Sequence, residues 1–397
     1  MEPLRVGLVA GEASGDTLGA GLIEAVRRLV PEAQFFGIAG PKMQAAGCVV
    51  WEPAESLAVM GLFEILKDLP RLLRLRARVR RLFLDARPDV FVGIDAPEFN
   101  LTLARALRGA GIPTVQYVSP QVWAWRQTRV NTIHESVDLV LCLLPFEKRF
   151  YDAHGMPADF VGHPLADAIP LQGDRGSARR ALALPAEGPV VALLPGSRRG
   201  EVLRLAEDFA RTARSLASRR PELVFVAPMA SAATRAIFAS SFERSAPDVA
   251  LRLFDGQAQT ALTAADVVLV ASGTASLETA LCKRPMVVVY RLSAATAWAV
   301  RRLNLVKTKF FAQPNLLAER PIVGEYFQEQ IDPEAIATEL LGWLDDPARR
   351  EQLEREFLRI HRDLKRDASA RAAQAVLAVA RGRGRQRRMG PRSDGTA

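Results

Sequence analysis

Short apolar runs alternate with longer segments of helical periodicity through most of this chain. In the first half, the runs that predict strands are 4–10, 34–39, 89–94, 113–118, 137–144 and 158–161. The helices predicted between them lie near 15–30, 71–85, 98–110 and 145–154. Because continuous apolar strands separated by helices are typical of a parallel sheet covered on both faces, the alternation predicts a doubly wound α/β fold.

The same alternation starts again after residues 170–188, which are rich in Gly, Pro and charge around one short helix. The predicted strands are 189–194, 222–227, 249–254, 266–271 and 285–290, with helices near 200–219, 257–265 and 273–283. Two further helices are predicted from 332 to about 380. Since 397 residues exceed what one core usually holds, we predict two Rossmann-like domains that face a cleft. The predicted boundaries are 1–164 and 165–345 for the domains, 346–380 for C-terminal helices and 381–397 for a disordered tail.

The net charge of +9 is concentrated at the C-terminal end. The arginines there are Arg381, Arg383, Arg385, Arg387, Arg388 and Arg392, accompanied by one carboxylate, Asp394. A Gly- and Arg-rich segment cannot bury apolar surface, so we expect a solvated tail. Contact with nucleic acid or anionic lipid is the alternative that charge alone allows.

Cysteine and histidine are too few and too scattered to predict a disulfide framework or a zinc site. Cys48, Cys142 and Cys282 form no Cys-x-x-Cys pair, and the chain has four histidines. We therefore expect a reducing compartment, no metal and no cofactor. The N-terminus shows no signal-peptide pattern, and no apolar run reaches the roughly 18 residues of a membrane span. These features predict a cytoplasmic protein and leave room for contact with a membrane surface.

In sheets of this type ligands bind beyond the carboxyl ends of the strands, so the loops that follow strands are candidate sites. The first strand leads into 11–16, where Ser14 and the glycines place backbone amides before a helix. A simple helix N-cap is the alternative for Ser14 or Asp16. Strand 89–94 leads to Asp95, a carboxylate that can accept a proton from an attacking hydroxyl, or that merely caps the next helix.

Two loops in the second half predict a site for a nucleoside diphosphate. They consist of Gly196, Ser197 and Arg198 after strand 189–194, and of Ser272, Gly273 and Thr274 after strand 266–271. Each loop opens a helix, whose amino end attracts phosphate. One turn inside the second helix, Glu278 can accept hydrogen bonds from both ribose hydroxyls.

The loop 117–126 carries Trp123, Trp125 and Arg126. Aromatic faces stack on sugars or bases and arginine binds phosphate, so a ligand-binding loop is one interpretation. Aromatic packing in the domain core is the alternative.

The segment 57–83 combines many apolar side chains with an arginine stripe at Arg71, Arg74, Arg78 and Arg81. A helix with this division can rest in an anionic membrane surface. The pattern alone favours the other interpretation, an ordinary amphipathic helix that packs on the sheet and exposes a solvated basic face.

Taken together, these motifs resemble the lipid-A-disaccharide synthases, a family of inverting glycosyltransferases with GT-B architecture. The resemblance covers about residues 4–380. It rests on GEASGD at 11–16, GIDAPEFN at 93–100, YVSPQVWAWR at 117–126, LPFEKRFY at 144–151, VGHPLAD at 161–167, LPGSR at 194–198, SGTASLE at 272–278 and PNLLA at 314–318. It implies metal-independent transfer of 2,3-diacylglucosamine from UDP to the 6-hydroxyl of 2,3-diacylglucosamine 1-phosphate (lipid X). The implied products are UDP and the β-1,6 lipid A disaccharide 1-phosphate.

The resemblance also implies roles for individual residues. Asp95 is the implied general base, with Ser14 and Asp16 facing the reaction centre. Arg198 would balance charge on the departing UDP and Glu278 would bind ribose. Further matches to family positions near the nucleotide are Asn315, Gln328 and Glu329. The implied membrane-facing patch falls on Val59, Met60, Leu62, Phe63, Leu66, Leu69, Leu72 and Leu73.

The implied partners are the inner face of the cytoplasmic membrane and a second copy of the chain, with the C-terminal region returning to the first domain. No nucleic acid is expected. Two alternatives stay open at this point. Another UDP-sugar transferase or epimerase of GT-B architecture would turn over water-soluble sugars. A nucleic-acid-binding protein would use the arginine-rich helix and tail, and would leave the two nucleotide-type loops unexplained.

Overall fold

The structure is a computed structural model that describes residues 3–57, 62–123, 127–293, 297–298, 302 and 309–388. The chain divides into two compact units. The first comprises Met1–Asp167 together with Leu364–Ala397, and the second comprises Ala168–Asp363. The chain therefore leaves its first unit once and returns to it near the C-terminus.

The first unit is built on a seven-stranded parallel sheet with strand order β3-β2-β1-β4-β5-β6-β7. The strands are β1 (Arg5–Ala10), β2 (Gln34–Ala39), β3 (Cys48–Pro53), β4 (Val90–Ile94), β5 (Thr114–Tyr117), β6 (Leu139–Cys142) and β7 (Ala158–Phe160). The helices are α1 (Ala13–Leu29), α2 (Pro41–Ala45), α3 (Leu62–Ala86), α4 (Pro97–Gly109), α5 (Val130–Ser136), α6 (Pro145–Ala153) and α7 (Pro164–Ala168). The strand order reverses direction between β1 and β4, which is where ligands bind in sheets of this type.

Both faces of this sheet are buried, because successive side chains of each strand point to opposite sides. Leu8 and Val92 belong to the core on one face, and Val9 and Phe91 to the core on the other. This explains why the strands appear in the sequence as continuous apolar runs rather than alternating ones.

The second unit has a six-stranded parallel sheet with order β10-β9-β8-β11-β12-β13. Its strands are β8 (Val190–Leu194), β9 (Val224–Met229), β10 (Leu251–Asp255), β11 (Val267–Ala271), β12 (Met286–Tyr290) and β13 (Gly324–Phe327). Its helices are α8 (Arg175–Ala181), α9 (Arg199–Arg219), α10 (Ala232–Ser245), α11 (Ala258–Ala264), α12 (Thr274–Leu281), α13 (Gln313–Ala318), α14 (Pro333–Asp345) and α15 (Pro347–Leu364). Here the switch in strand order lies between β8 and β11.

The predicted doubly wound α/β fold is confirmed, although strands β3 and β13, helix α10 and the short helices α2, α5, α7 and α13 were not predicted from the sequence. β3 and β13 are edge strands with half-exposed residues, so they lack the continuous apolar runs of the inner strands. Helix α10 packs beside α9 but has no clear apolar stripe, so its sequence shows no helical periodicity from which it could be predicted.

Between 332 and 388, the last residue described, the chain forms three helices where two were predicted, and the last of them is α16 (Ala368–Arg388). The predicted return to the first domain is confirmed for α16, which packs beside α1 through Ala372 and Val376, whereas α15 belongs to the second unit up to Asp363. The helix extends past the tail boundary predicted at 381, because arginine has a high helix propensity.

The VGHPLAD motif at 161–167 connects α16 to the first unit. The Asp167 carboxylate accepts hydrogen bonds from the backbone amides of Asp367 at 2.9 Å and Ala368 at 2.6 Å, at the amino end of α16. Gly162 has φ +95°, and a Cβ atom there would lie 2.8 Å from the Leu364 carbonyl oxygen. The motif therefore stabilises the point where the chain re-enters its first unit.

Candidate functional site

Asp95 lies in a strained turn at the carboxyl end of β4, beside the switch point. Asp95 has φ 53° and Ala96 has φ 41°, a conformation that non-glycine residues rarely adopt and that costs about 1–3 kcal/mol per residue. Two buried amide side chains hold this turn. Asn100 Nδ2 donates to the Asp95 carbonyl oxygen at 2.8 Å, and Gln116 Nε2 donates to the same oxygen at 3.0 Å. The position of Asp95 is therefore determined by the surrounding structure and not by local preference.

The amino end of α1 lies against this turn. A Cβ atom added to Gly11 would lie 2.8 Å from Ala96 Cβ, so only glycine lets the two loops approach this closely. Ser14 is exposed on the first turn of α1. The structure thus brings together the loops of Ser14 and Asp95.

Asp16 is buried and binds the amino end of another helix, α2. Its side chain is 3% exposed, and its two carboxylate oxygens accept hydrogen bonds from the backbone amides of Lys42 and Met43, both at 2.9 Å. These amides open helix α2, so Asp16 stabilises the amino end of that helix from a distance in the sequence. Because both oxygens are engaged in this way, we assign Asp16 to positioning, and its catalytic role stays an untested prediction.

The aromatic loop after β5 is held by helix α6. Trp123 packs edge-to-face on Phe146 with ring centroids 4.7 Å apart, and the Ser119 hydroxyl lies 3.1 Å from the Tyr151 hydroxyl. The pKa of the Glu147 carboxyl is raised to about 7, because the effect of burial exceeds the opposing effect of hydrogen bonds from two backbone amides and from Trp123. Trp123 is thus half-buried against α6, while 124–126, including Trp125 and Arg126, lie outside the described residues.

In the second unit, the loop after β8 forms an anion cradle at the amino end of α9. The backbone amides of Ser197 and Arg198 both donate to a carboxylate oxygen of Glu201 at 3.2 Å. The Arg198 guanidinium is 71% exposed and lies 3.7 Å from the same carboxylate. Gly196 has φ +124°, and a Cβ atom there would lie 2.7 Å from Glu201 Cβ. Glu201 was not predicted from the sequence, although Glu three residues after the N-cap residue, here Arg198, signals a capping interaction.

The loop after β11 opens α12 in a similar way. Gly273 has φ 148°, a conformation that favours glycine, and the Ser272 hydroxyl donates to the Phe311 carbonyl oxygen at 3.1 Å. Thr274 is exposed at the first helical position. Burial raises the pKa of the Glu278 carboxyl, and no neighbouring charge or hydrogen bond among the described residues lowers it again. A largely buried carboxylate in this situation is suited to accept hydrogen bonds from a ligand.

All hydrogen-bonding positions of the Asn315 side chain are used within the protein. Its Nδ2 atom donates to the Val323 carbonyl oxygen at 2.9 Å and to Glu325 Oε1 at 2.8 Å. Its Oδ1 atom accepts from the amides of Ile322 at 2.8 Å and Val323 at 3.0 Å. Because an amide side chain has two donors and two acceptor positions, this set uses its full capacity. We therefore assign Asn315 to positioning of the segment that leads into β13.

Gln328 and Glu329 line a cavity of about 860 Å³ beyond the carboxyl ends of β12 and β13. Gln328 is buried, and its Oε1 atom accepts from the Leu292 amide at 2.7 Å. The cavity is also lined by three arginines, Arg204, Arg291 and Arg302, and by the exposed Trp298. Of these lining residues, only Gln328 and Glu329 were named from the sequence, because they match family positions, whereas the arginines and Trp298 belong to none of the motifs that carry the resemblance.

The predicted membrane patch is described in part. Val59 and Met60 lie outside the described residues, and for Leu62, Phe63 and Leu66 only the helical backbone of α3 is described. Leu69 is 44% exposed and Leu73 is 46% exposed, whereas Leu72 is half-buried. No helix in the described part of the chain is both long and apolar enough to cross a membrane. Within the same residues, no group of three His, Cys, Asp or Glu side chains is arranged to hold a metal ion.

Comparison with known proteins gives the family. The profile described as lipid-A-disaccharide synthetase matches residues 6–379. The chain belongs to this family. It is 53% identical to the lipid-A-disaccharide synthase of Alkalilimnicola ehrlichii, over 96% of this chain and all of the relative. It is 54% identical to the lipid-A-disaccharide synthase of Pseudomonas paraeruginosa, over 94% of this chain and 97% of the relative.

Solved structures support the fold of this lipid-A-disaccharide synthase family member. A putative UDP-N-acetylglucosamine 2-epimerase from Listeria monocytogenes aligns with a TM-score of 0.63 at 13% identity, over 97% of this chain and 98% of that one. The glycosyltransferase of kitacinnamycin aligns with a TM-score of 0.59 at 16% identity, over 96% of this chain and all of that one. The predicted GT-B fold class is confirmed, and the chain is a glycosyltransferase of lipid A biosynthesis.

Proposed function

We propose that the chain transfers 2,3-diacylglucosamine from UDP to the 6-hydroxyl of 2,3-diacylglucosamine 1-phosphate in one inverting displacement. The acceptor oxygen bonds to C1 of the donor sugar as the bond from C1 to the diphosphate oxygen breaks. The hydroxyl proton passes to Asp95, and the electron pair of the broken bond leaves with UDP. The β-1,6 linkage then follows from attack on the face of C1 opposite the diphosphate.

The observation that carries this proposal is the strained turn at Asp95. Two buried amides, Asn100 and Gln116, hold the carbonyl of this one residue at the switch point, and the Ser14 loop adjoins it. Strain of this kind is retained where the structure is used to place a reacting group. In this proposal, the carboxylate held at this position acts as the general base.

The second unit supplies the binding groups for UDP in this proposal. The amides of Ser197 and Arg198 bind the diphosphate in place of the Glu201 carboxylate, and the Arg198 guanidinium balances charge on the leaving group. The loop of Ser272, Gly273 and Thr274 offers a second helix amino end. Glu278 accepts the ribose hydroxyls, and Gln328 and Glu329 line the neighbouring cavity.

Asp95→Asn tests the proposed base. We expect turnover to fall by a factor of order 100 or more with UDP binding nearly intact, because the base acts only on the acceptor. Disaccharide formation is measured by mass spectrometry in detergent with EDTA, and UDP binding by calorimetry. Asp85→Asn, a change of the same type at an exposed residue of α3, is the matched control. An equal loss of turnover and UDP binding would contradict the role.

We also propose that α3 places the chain on the inner face of the cytoplasmic membrane, supported by the exposure of Leu69 and Leu73. The double variant Leu69→Glu with Leu73→Glu is expected to remain soluble where the natural chain floats with anionic vesicles. Leu29→Glu with Val49→Glu, which alters two exposed apolar residues elsewhere in the first unit, is the control. Unchanged flotation of the α3 variant would remove this part of the proposal. The homodimer implied by the family stays a prediction, to be measured by light scattering.

A further inference from the structure

A small basic pocket lies between α3 and the end of β3 with the turn that follows it. Its cavity is about 280 Å³, and its lining residues are Glu52, Ser56, Arg71, Arg74, Leu75 and Arg78. The three arginines are spaced three and four residues apart, so they lie along one face of α3. We call this feature the arginine pocket.

Each arginine is oriented by a contact within the first unit. Arg71 Nη1 donates to the Ser56 carbonyl oxygen at 2.9 Å, and Arg78 Nη1 lies 2.8 Å from Glu52 Oε1. Arg74 Nε donates to the Pro70 carbonyl oxygen at 3.2 Å. Because a guanidinium has five N–H donors, contacts of this kind orient Arg74 and Arg78 and leave them capacity to bind a ligand.

The charge of the arginine pocket selects an anion. Three guanidinium groups and a single carboxylate line it, so its net charge is positive. Guanidinium binds phosphate through paired N–H donors, which is the interaction that arginine forms more specifically than lysine. The cavity is smaller than the range of about 300–1,000 Å³ typical of drug-sized ligands, and its size suits a head group rather than a whole lipid.

The position of the arginine pocket indicates how a phosphate reaches it. Leu69 and Leu73 are exposed on the same two turns of α3 that carry Arg71 and Arg74. A phosphate attached to acyl chains would thus meet apolar and basic side chains on one helix. Phosphate groups of this kind occur on anionic phospholipids and on an acylated sugar phosphate.

We propose that the arginine pocket binds the phosphate group of an amphiphile at the membrane surface. This inference extends the proposed membrane association, and its main test measures binding rather than turnover, so that the pocket and the proposed transfer reaction can fail separately.

The test variant is Arg74→Gln with Arg78→Gln, and the matched control is Arg80→Gln with Arg81→Gln. Both pairs remove the same charge from α3, but Arg80 and Arg81 are exposed and do not line the pocket. Vesicles of phosphatidylcholine, with and without phosphatidylglycerol, are used in flotation. If the pocket binds phosphate, the test pair weakens binding to the anionic vesicles about tenfold more than the control pair, the effect of losing one charge-assisted hydrogen bond.

A second measurement distinguishes the source of the phosphate. In neutral detergent without phospholipid, KM for the acylated sugar phosphate is compared between the two pairs, with kcat and KM for the UDP-sugar as references. A rise in acceptor KM for the test pair alone assigns the pocket to the acceptor. A loss of vesicle binding with unchanged KM assigns it to phospholipid head groups. Equal behaviour of the two pairs in both measurements, with unchanged thermal unfolding, overturns the proposal.

Discussion

Replacing Glu278 with Gln should weaken UDP binding and stabilise the protein at the same time. Glu278 is largely buried on α12, and burial raises the pKa of its carboxyl. An acid whose pKa is raised on folding destabilises the folded state above that pKa, where it is charged, and ceases to do so as the pH falls. Gln has nearly the same shape and no charge, so it removes this cost at neutral pH.

The size of the binding effect follows from the hydrogen bonds proposed to ribose. A hydrogen bond to a charged group contributes about 1.5–3 kcal/mol and a neutral one about 0.5–1.5 kcal/mol. Converting two such bonds from charged to neutral therefore costs about 2 kcal/mol, or about 30-fold in Kd.

Calorimetric titration with UDP and thermal unfolding, each at pH 8 and at decreasing pH, measure the two effects. We expect the midpoint of unfolding to be higher for Glu278→Gln at pH 8, with the difference shrinking as the pH falls and the natural carboxyl becomes protonated. The difference in UDP affinity should shrink over the same range. Glu207→Gln, at an exposed glutamate of α9 that is paired with Arg211, is the matched control and should change neither quantity.

If the Glu278 carboxylate had a purely structural role, Glu278→Gln would lower the midpoint of unfolding at pH 8 instead of raising it. If the Gln variant unfolds at a lower temperature than the natural chain at pH 8, the carboxylate has a stabilising partner and the reasoning is wrong. Unchanged UDP affinity would equally refute the ribose contact.

Three further predictions concern the second unit. Gly196→Ala should weaken UDP binding at least about tenfold, because φ is +124° there and the added Cβ atom would meet Glu201. The control Gly188→Ala, at φ +87° with open space around it, should cost only about 1 kcal/mol of stability. Equal affinities of the two variants for UDP would contradict this prediction. Glu201→Gln should strengthen UDP binding a few-fold in calorimetry, since it keeps an acceptor oxygen and removes the competing charge; weaker binding would show that the charge supports the cradle. Asn315→Ala should lower the free energy of unfolding by about 3 kcal/mol or more in denaturant titration, because several buried groups lose their hydrogen-bond partner. An unchanged free energy of unfolding with a loss of UDP binding would instead indicate that Asn315 contacts UDP directly.

The sequence was sufficient to predict the parts of this protein that depend on local pattern. Inner strands such as β4 and β11 are buried on both faces, so their apolar runs identify them without further information. The loops that follow them were predicted as sites because parallel strands present their carboxyl ends at one edge. The edge strand β13 has half-exposed residues, and the same criterion missed it.

Motif matching located the candidate residues but did not separate ligand-binding side chains from those that hold the fold. Asp16 and Asn315 lie in motifs of the same kind as Asp95 and Glu278. The structure shows that the carboxylate of Asp16 stabilises α2 and that the amide of Asn315 stabilises the segment before β13. Their partners are backbone groups and, for Asn315, also the Glu325 carboxylate, and the approach of these groups depends on the packing of whole elements.

The sequence by itself therefore determined the fold class, the family and the loops in which chemistry is expected, because periodicity and turn residues act over a few positions. Only the tertiary structure decided that α16 packs beside α1, that Glu201 occupies the amides of the anion cradle, and that Arg71, Arg74 and Arg78 line one pocket with Glu52. Each of these contacts depends on where distant segments meet or on which of several possible partners a side chain contacts. Hydrogen bonds and ion pairs form only once packing has brought the two groups within about 3 Å.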